Sequence, residues 1–471
     1  MAWRLSVPHP TLILPFLSRL LFGVPGRSVW ESGALCSHPA ELVVHHKAIN
    51  LGRSRVQLKT ILNRVQRHRS FVYGEVRWRA GRGTELDVTV RARRNSRPEC
   101  SGCGRKGPTY DHLPVRRFEF VPLWGVVVYF VYAMRRVDCE TCGVKVEAVP
   151  WALGKRPITR TYAWFLAGWA KRLSWAETAR AFRTSWQSVF RSVEMAVTWG
   201  RAHVNLEGVR AVGVDEILWR KGHKYLTLVY QIDADCKRLL WVGKSRTTKT
   251  FLRFFRWFGK ERSALLGYVC SDMWRPYMRV IAKKAGQAIH VLDRFHIAQH
   301  LGKAIDEIRA KEAKKLKANG YEPILKGKRW CLLKRPENLT EKQEMTLAEL
   351  LQYNLRTVRA YLLKEDFQGF WAYISPYWAG KFLDRWCTRA MRSKLEPMKK
   401  VVKMLRNHRE LILNWFRARG AMSSGAVEGF NNKAKVTTRR AYGFRTFGAA
   451  EVALYHTLGK LPELEMTHRF W

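Results

Sequence analysis

Between Val209 and Ile297 the order of apolar runs and breakers leaves few ways for the chain to fold. Val209 to Ile217 reads as a buried strand ending in Gly213-Val214-Asp215-Glu216. Lys224 to Ile232 (KYLTLVYQI) and Arg238 to Gly243 (RLLWVG) read as two more strands, joined by the turn-like Asp233-Ala234-Asp235. Connections this short predict an antiparallel meander. Lys249 to Leu266 then carries helical periodicity, and Gly267 to Cys270 (GYVC) is a short apolar strand ending at Ser271-Asp272. Trp274 to Ala285 is helical and Ala288 to Leu292 is again a strand, so the predicted order is β-β-β-α-β-α-β.

That order is the one of a ribonuclease H-like α/β core. There, one carboxylate sits on the first strand and another just after the fourth, and neighbouring central strands bring them together. Asp215 and Asp272 occupy those two places. A third carboxylate should come from a later helix, and Glu428 is the candidate, in Ser423-Ser424-Gly425-Ala426-Val427-Glu428-Gly429-Phe430-Asn431-Asn432-Lys433-Ala434-Lys435. Glu428, Asn431 and Lys435 recur at helical spacing, so one face offers a metal ligand, an amide and a phosphate contact.

Plainer readings exist for each acid. Asp215 could be a strand-end acid paired with Arg210 or Arg220, Asp272 a helix N-cap, and Glu428 a first-turn acid favoured by the helix dipole. Glu216 points to the opposite face of its strand and is the weaker candidate. Asp293-Arg294-Phe295-His296, at the end of the fifth strand, is a rival carboxylate with a nearby histidine. His296 and His300 stand i, i+4 on a helix, but a structural or DNA-contacting role is favoured over a metal pair. Three carboxylates suit Mg²⁺ or Mn²⁺, and two such ions about 4 Å apart serve an in-line phosphoryl displacement.

The charge balance points the same way. Lys and Arg number 85 against 38 Asp and Glu, a formal net charge of +47, in a chain too apolar (47% hydrophobic) to be a disordered tail. Such an excess implies a polyanion, DNA or RNA, held over an extended surface where neutralised phosphates release counterions. A generally basic proteome would explain only a modest excess. A membrane is not called for, because the apolar run Thr11 to Val24 is interrupted by Pro15 and Arg19 and falls short of the roughly 20 residues that span a bilayer. That run faintly resembles a signal peptide without a clean cleavage site. Residues 1–55 read instead as an N-terminal extension, with Val56 a plausible true beginning.

A small α+β segment follows from Val56, helical at Leu58, Ile61, Leu62 and Val65 and strand-like from Ser70 to Val90. Four of the nine cysteines come next, as Cys100-Ser-Gly-Cys103 and Cys139-Glu-Thr-Cys142. In a CxxC turn both thiolates can face one tetrahedral zinc, and a second pair brought alongside by a hairpin closes the site. Arg117 to Tyr132 is the apolar stretch suited to that hairpin. Two disulfides or a redox-active CxxC are the alternatives, weakened by the odd cysteine total and by the lack of a thioredoxin-like context. With all four positions filled by protein, such a zinc would be structural.

Between Tyr162 and Gly200, Leu173-Ser174-Trp175-Ala176-Glu177-Thr178-Ala179-Arg180-Ala181-Phe182 is followed by Thr184-Ser185-Trp186-Gln187-Ser188-Val189, reading as helix, turn, helix. Ser174 and Thr184 are the expected N-caps, and Ser185, Gln187, Ser188 and Arg191 could enter a major groove. A helical hairpin that only packs is the alternative. Gly302 to Gly420 is helical, basic and rich in tryptophan (Trp330, Trp371, Trp378, Trp386, Trp415), too long for a connection and so an inserted domain. Its tryptophans suit either stacking on unpaired bases or a core.

These features together resemble bacterial insertion-sequence transposases of the ISL-three type, over nearly everything from Leu58 to Trp471. The likeness rests on the paired CxxC, SWAETARAF, GVDEILWRKGHKYLTLVYQID, VCSDMWRPY, VLDRFH, and SSGAVEGFNNKAK followed by RRAYGFRTF. It implies an α+β multidomain protein with a four-cysteine zinc domain over 56–150 and a helix-turn-helix over 160–200, while the extension over 1–55 departs from the family and matches nothing expected of it. The ribonuclease H-like core would run over 208–300 and 421–460, interrupted by an all-α insertion over 301–420, with a tail over 461–471. It further implies that Asp215, Asp272 and Glu428 are the catalytic acids, that the substrate is double-stranded DNA at inverted-repeat ends and target, and that the protein acts as a homo-oligomer in the bacterial cytoplasm at the nucleoid. The rival functions are a zinc-containing DNA-binding regulator and a nuclease without strand transfer.

Overall fold

The computed structural model describes residues 57–464 apart from 82, 221, 419–424 and 442. The chain divides into Met1–Arg55 and Val56–Trp471, and the fold below is that of the second unit. The extension expected over 1–55, with its apolar run, lies outside the described residues, as do residues 465–471. No helix among the described residues is long and apolar enough to cross a membrane.

A helix α1 (Leu58–Val65) leads into a sheet built from β1 (Phe71–Trp78), β2 (Glu85–Ala92), β3 (Thr109–Leu123), β4 (Val126–Cys139) and β5 (Gly143–Val146). The order is β1-β2-β4-β3, with β5 paired to β4. The β3–β4 hairpin closes on Trp124 and Gly125, both at positive φ (47° and 81°). Two left-handed residues in a two-residue loop match the right-handed twist of the strands they join. One face of this sheet packs around Trp151, which meets Phe71, Tyr132 and Phe118 edge-on at 4.8, 5.4 and 6.2 Å between ring centroids.

Helices α2 (Arg160–Trp169), α3 (Trp175–Ala181) and α4 (Trp186–His203) follow. Ser174 caps α3 in a reciprocal capping box with Glu177, as its sequence suggests. The expected cap of the next helix is off by one: Ser185 caps α4 and Thr184 precedes it. The cause is the turn, where Arg183 takes a left-handed φ of 51° in the place a glycine usually fills and shifts the helix start onward.

The second sheet contains β6 (Ala211–Arg220), β7 (Lys224–Ile232), β8 (Lys237–Lys244), β9 (Tyr268–Ser271) and β10 (Ile289–Leu292) in the order β10-β9-β6-β7-β8. β6, β7 and β8 form an antiparallel meander, while β9 runs parallel to β6 and β10 parallel to β9. The helix expected over Lys249 to Leu266 is two helices, α5 (Thr248–Phe258) and α6 (Lys260–Ala264), because Gly259 at φ 94° ends the first. α5 and α7 (Arg275–Lys284) cover one face through Phe251, Phe254, Phe258 and Tyr277.

The long helix α8 (Arg294–Ala318) leaves the end of β10 and opens a helical block: α9 (Arg329–Leu333), α10 (Glu341–Leu351), α11 (Arg356–Gln368), α12 (Pro376–Arg392), α13 (Glu396–Asn407) and α14 (Arg409–Arg417). The block has its own core, in which Trp386 is fully buried and donates to the Leu363 carbonyl. Trp330 and Trp378 are exposed, so the tryptophans divide between core and surface. Two helices then return to the second sheet, α15 (Ala426–Arg440) and α16 (Phe447–Leu458). Gly213 on β6 permits that return, since a methyl group there would overlap Val427 on α15.

Candidate active site and metal centres

β6 and β9 are adjacent and parallel, with Gly213 opposite Cys270. Asp215 and Asp272 each lie two residues beyond that pair, so they reach the same end of neighbouring strands. α15 packs against β6 and brings Asn431 to that end, with Glu428 on the same helix near enough to Asp293 for its charge to act there. Asn431 is buried and donates from its amide nitrogen to Asp215, while its amide oxygen accepts from Tyr230 at 2.8 Å. Asn431, expected as a contact for DNA, ties a carboxylate to a phenol inside the protein. Lys435 stands exposed on the same helix.

The surroundings of the acids are charged and largely buried. Asp272 accepts from the Trp274 backbone N–H at 3.0 Å and from the Arg246 guanidinium at 3.3 Å. Arg246 also pairs with Glu216 at 3.2 Å and lies 4.6 Å over the Trp274 ring. Asp215 does not pair with Arg210, whose backbone N–H goes to Asp233, nor with Arg220, which donates to the Arg445 carbonyl. The rival carboxylate comes into the same cluster. Asp293 caps α8 by accepting from the Phe295 N–H at 2.9 Å, and the His296 ring stands 3.9 Å from Asp215.

Burial raises the carboxyls of Asp272 and Asp293; the charge of Asp215 adds to both, and that of Glu428 to Asp293. Glu216 is pushed to about 7, first by burial and then by the charge of Asp272. His296 moves the other way, up to about 9, because the Asp215 carboxylate beside it favours the imidazolium. Carboxylates crowded this way need cations, and the protein supplies Arg246 and His296. Hard oxygen donors in a buried, mutually repelling group suit Mg²⁺ or Mn²⁺.

The four cysteines make a different kind of cluster. The sulfurs of Cys100, Cys103, Cys139 and Cys142 all lie within 4.8 Å of one another, the only such group of three or more metal-ligand side chains among the described residues. Cys103 and Cys139 are 3.5 Å apart, well beyond a disulfide bond of about 2.05 Å. Sulfurs around a tetrahedral zinc at about 2.3 Å sit roughly 3.8 Å apart, so the spacing fits that ion. The Gly102 N–H points at Cys100 from 3.4 Å, and the backbone N–H groups of Cys103 and Gly102 lower the Cys100 thiol to about 7. Beneath them, Cys100 bridges to Glu147, whose carboxylate is saturated by Arg135, the Arg135 backbone N–H and Tyr132.

On α4, Gln187 and Arg191 are exposed. Ser185 and Ser188 share a hydrogen bond at 2.9 Å, and the Ser185 hydroxyl accepts from the Ser188 N–H, so these two are partly engaged in capping. Arg246 and Tyr230 were not found by sequence reasoning. Arg246 follows a strand with no periodic signal, and Tyr230 lies inside a strand with nothing to set it apart.

The chain is similar to known proteins over most of its length. A family model described as Transposase, of the ISL3 DDE type, matches residues 212–453. The transposase for insertion sequence element IS1557 of Mycobacterium tuberculosis is 30% identical over 417 residues, covering 83% of this chain and 92% of that protein. The transposase for insertion sequence element IS1001 of Bordetella parapertussis is 28% identical over 349 residues, covering 74% and 85%.

Proposed function

The chain belongs to the ISL3 family of DDE transposases, and from that premise we propose that it binds the terminal inverted repeats of an insertion sequence and cuts and joins DNA through Asp215, Asp272 and Glu428. The observation that carries this reading is the level placement of Asp215 and Asp272 on adjacent parallel strands, with α15 seated on Gly213 beside them. The strand order β10-β9-β6-β7-β8 supports a ribonuclease H-like core interrupted by the helical block α8 to α14.

Asp215, Asp272 and Glu428 would hold the divalent ions. When bound, these would polarise the scissile phosphate and activate a water or a 3′-hydroxyl. The chain's own groups set the geometry. Asn431, itself oriented by Tyr230, holds one oxygen of Asp215 while the Glu216 backbone N–H donates to the other at 2.7 Å, and together they fix its rotamer. Arg246 and the Trp274 backbone N–H do the same for Asp272. The raised carboxyls of Asp272 and Asp293 must lose any proton before a cation enters, so cation affinity should fall as pH is lowered. Lys435 offers a phosphate contact and α4 presents Gln187 and Arg191 to a groove, as a helix-turn-helix would. The four thiolates would hold a structural zinc that ties the turn ahead of β3 to the turn joining β4 and β5.

The test supplies a pre-cut element end with a 3′-hydroxyl, a target duplex and Mg²⁺, and looks for covalent joining. Joining is expected. Cleavage without joining would leave a nuclease, and end binding with neither would leave a DNA-binding regulator.

A further inference from the structure

A groove of about 1200 Å³ runs between α3 and the start of α4 on one side and the end of α15, the turn after it and α16 on the other. It is larger than the pockets that enclose small molecules, which suits a segment of a polymer. Its wall is a ladder of four rings. Trp186 lies 6.4 Å from Phe190, Phe190 5.1 Å from Trp175, and Trp175 5.8 Å from Phe444. The ladder descends from Trp186, 60% exposed, to Phe444, which is buried.

Arg180, Arg439, Arg440 and Arg445 also line the groove. Its one acid, Glu177, is engaged in capping α3 and accepts from the Ser174 N–H at 2.7 Å. A second cavity of about 710 Å³ shares Arg445 and Thr446 with the first and continues past Arg220, Lys224 and Lys244 to Arg246, the partner of Asp272. Arg440 stands twelve residues beyond Glu428 on the same helix, about 18 Å at the α-helical rise.

We infer that this groove holds an unpaired stretch of DNA strand next to the cleavage site, its bases stacked on the ring ladder and its phosphates on the arginines. Duplex DNA hides its base faces, whereas an unpaired strand offers them, and the pairing of a basic track with successive aromatic rings is the pattern that binds such strands. The inference rests on the reading that Asp215, Asp272 and Glu428 cut DNA.

The experiment measures binding of labelled oligo-dT and of a mixed-sequence duplex to the full chain by fluorescence anisotropy, for wild type, Trp186→Ala, Trp186→Phe and Arg439→Gln. Trp186→Ala should weaken oligo-dT binding about tenfold or more, the size of one lost base stack, with duplex binding nearly unchanged. Trp186→Phe should recover most of that loss, and Arg439→Gln should flatten its salt dependence. Equal losses on strand and duplex would assign Trp186 to duplex recognition and overturn the inference, as would no loss, or no oligo-dT binding by wild type. A change from oligomer to monomer in Trp186→Ala, read by light scattering, would make the face an interface between copies and overturn it too. Wild-type cleavage measured in parallel separates the two claims. Cleavage without strand binding sinks the groove alone, and strand binding that needs Trp186 without cleavage sinks only the catalytic reading.

Discussion

The thiol cluster and the acid cluster solve opposite problems. Four cysteine sulfurs come within 4.8 Å of one another, and the backbone of two CxxC turns does the assembling. The acids do not collapse in this way. They are spread over the ends of β6, β9 and β10 and over α15, and three of them are held by a neighbour: Asn431 for Asp215, Arg246 for Asp272, the Phe295 N–H for Asp293. A closed, soft site belongs with a structural ion, and an open, propped, hard-oxygen site belongs with one that must also accommodate substrate.

The sharpest way to break this contrast is to remove a ligand from the open site. Asp215→Asn or Glu428→Gln should lower strand cleavage about a thousandfold or more, as loss of several kcal/mol of charge stabilisation demands, while end binding in a gel-shift assay persists. Full activity in either variant would remove that residue from the site. At the closed site the corresponding change is to stability. Glu147→Gln leaves the Arg135 guanidinium buried without its partner beneath Cys100, and should cost about 3–5 kcal/mol in urea unfolding with zinc bound.

The props should matter less than the ligands. Asn431→Ala should reduce cleavage about 10–100-fold, the usual effect of losing a group that orients a ligand, and should weaken Mn²⁺ binding measured by calorimetry. A loss as large as that of Asp215→Asn would mean that Asn431 touches the reacting atoms itself. The smallest effect is expected away from both clusters. Burial pushes the Glu119 carboxyl from an ordinary 4.5 to about 7. Its protonated form is favoured in the folded chain, so its contribution is fully present at low pH and is lost as pH rises from about 4.5 through 7. Glu119→Gln should therefore raise the melting temperature near pH 8 relative to wild type and leave it little changed near pH 4.

Much of this architecture was legible because strands and breakers alternate without ambiguity from Val209 to Leu292. All five strands of the second sheet fall where the apolar runs are, within two residues at each end except at the β6 terminus, which runs on to Arg220. Where the reading slipped, one backbone angle was responsible. Gly259 splits a helix that periodicity alone would continue, and Arg183 takes a left-handed turn that sequence reasoning assigns to glycine. The site was legible where function requires a charged residue at a strand end, as at Asp215 and Asp272. It was not where a residue acts through a distant partner. Nothing near Asn431 in sequence announces Tyr230 or Asp215, and the approach of His296 to Asp215 depends on how α8 leaves β10.

The hydrogen bond from Asn431 to Asp215 spans 216 positions of the chain. At a synthesis rate of about 5–20 residues per second, roughly 10–40 s separate the appearance of the two partners. Throughout that interval the nascent protein already has its cysteine turns and its helix pair, and gains Asp272 early in it, while Asp215 lacks the amide that orients it. The acid cluster is therefore completed only once α15 has been made.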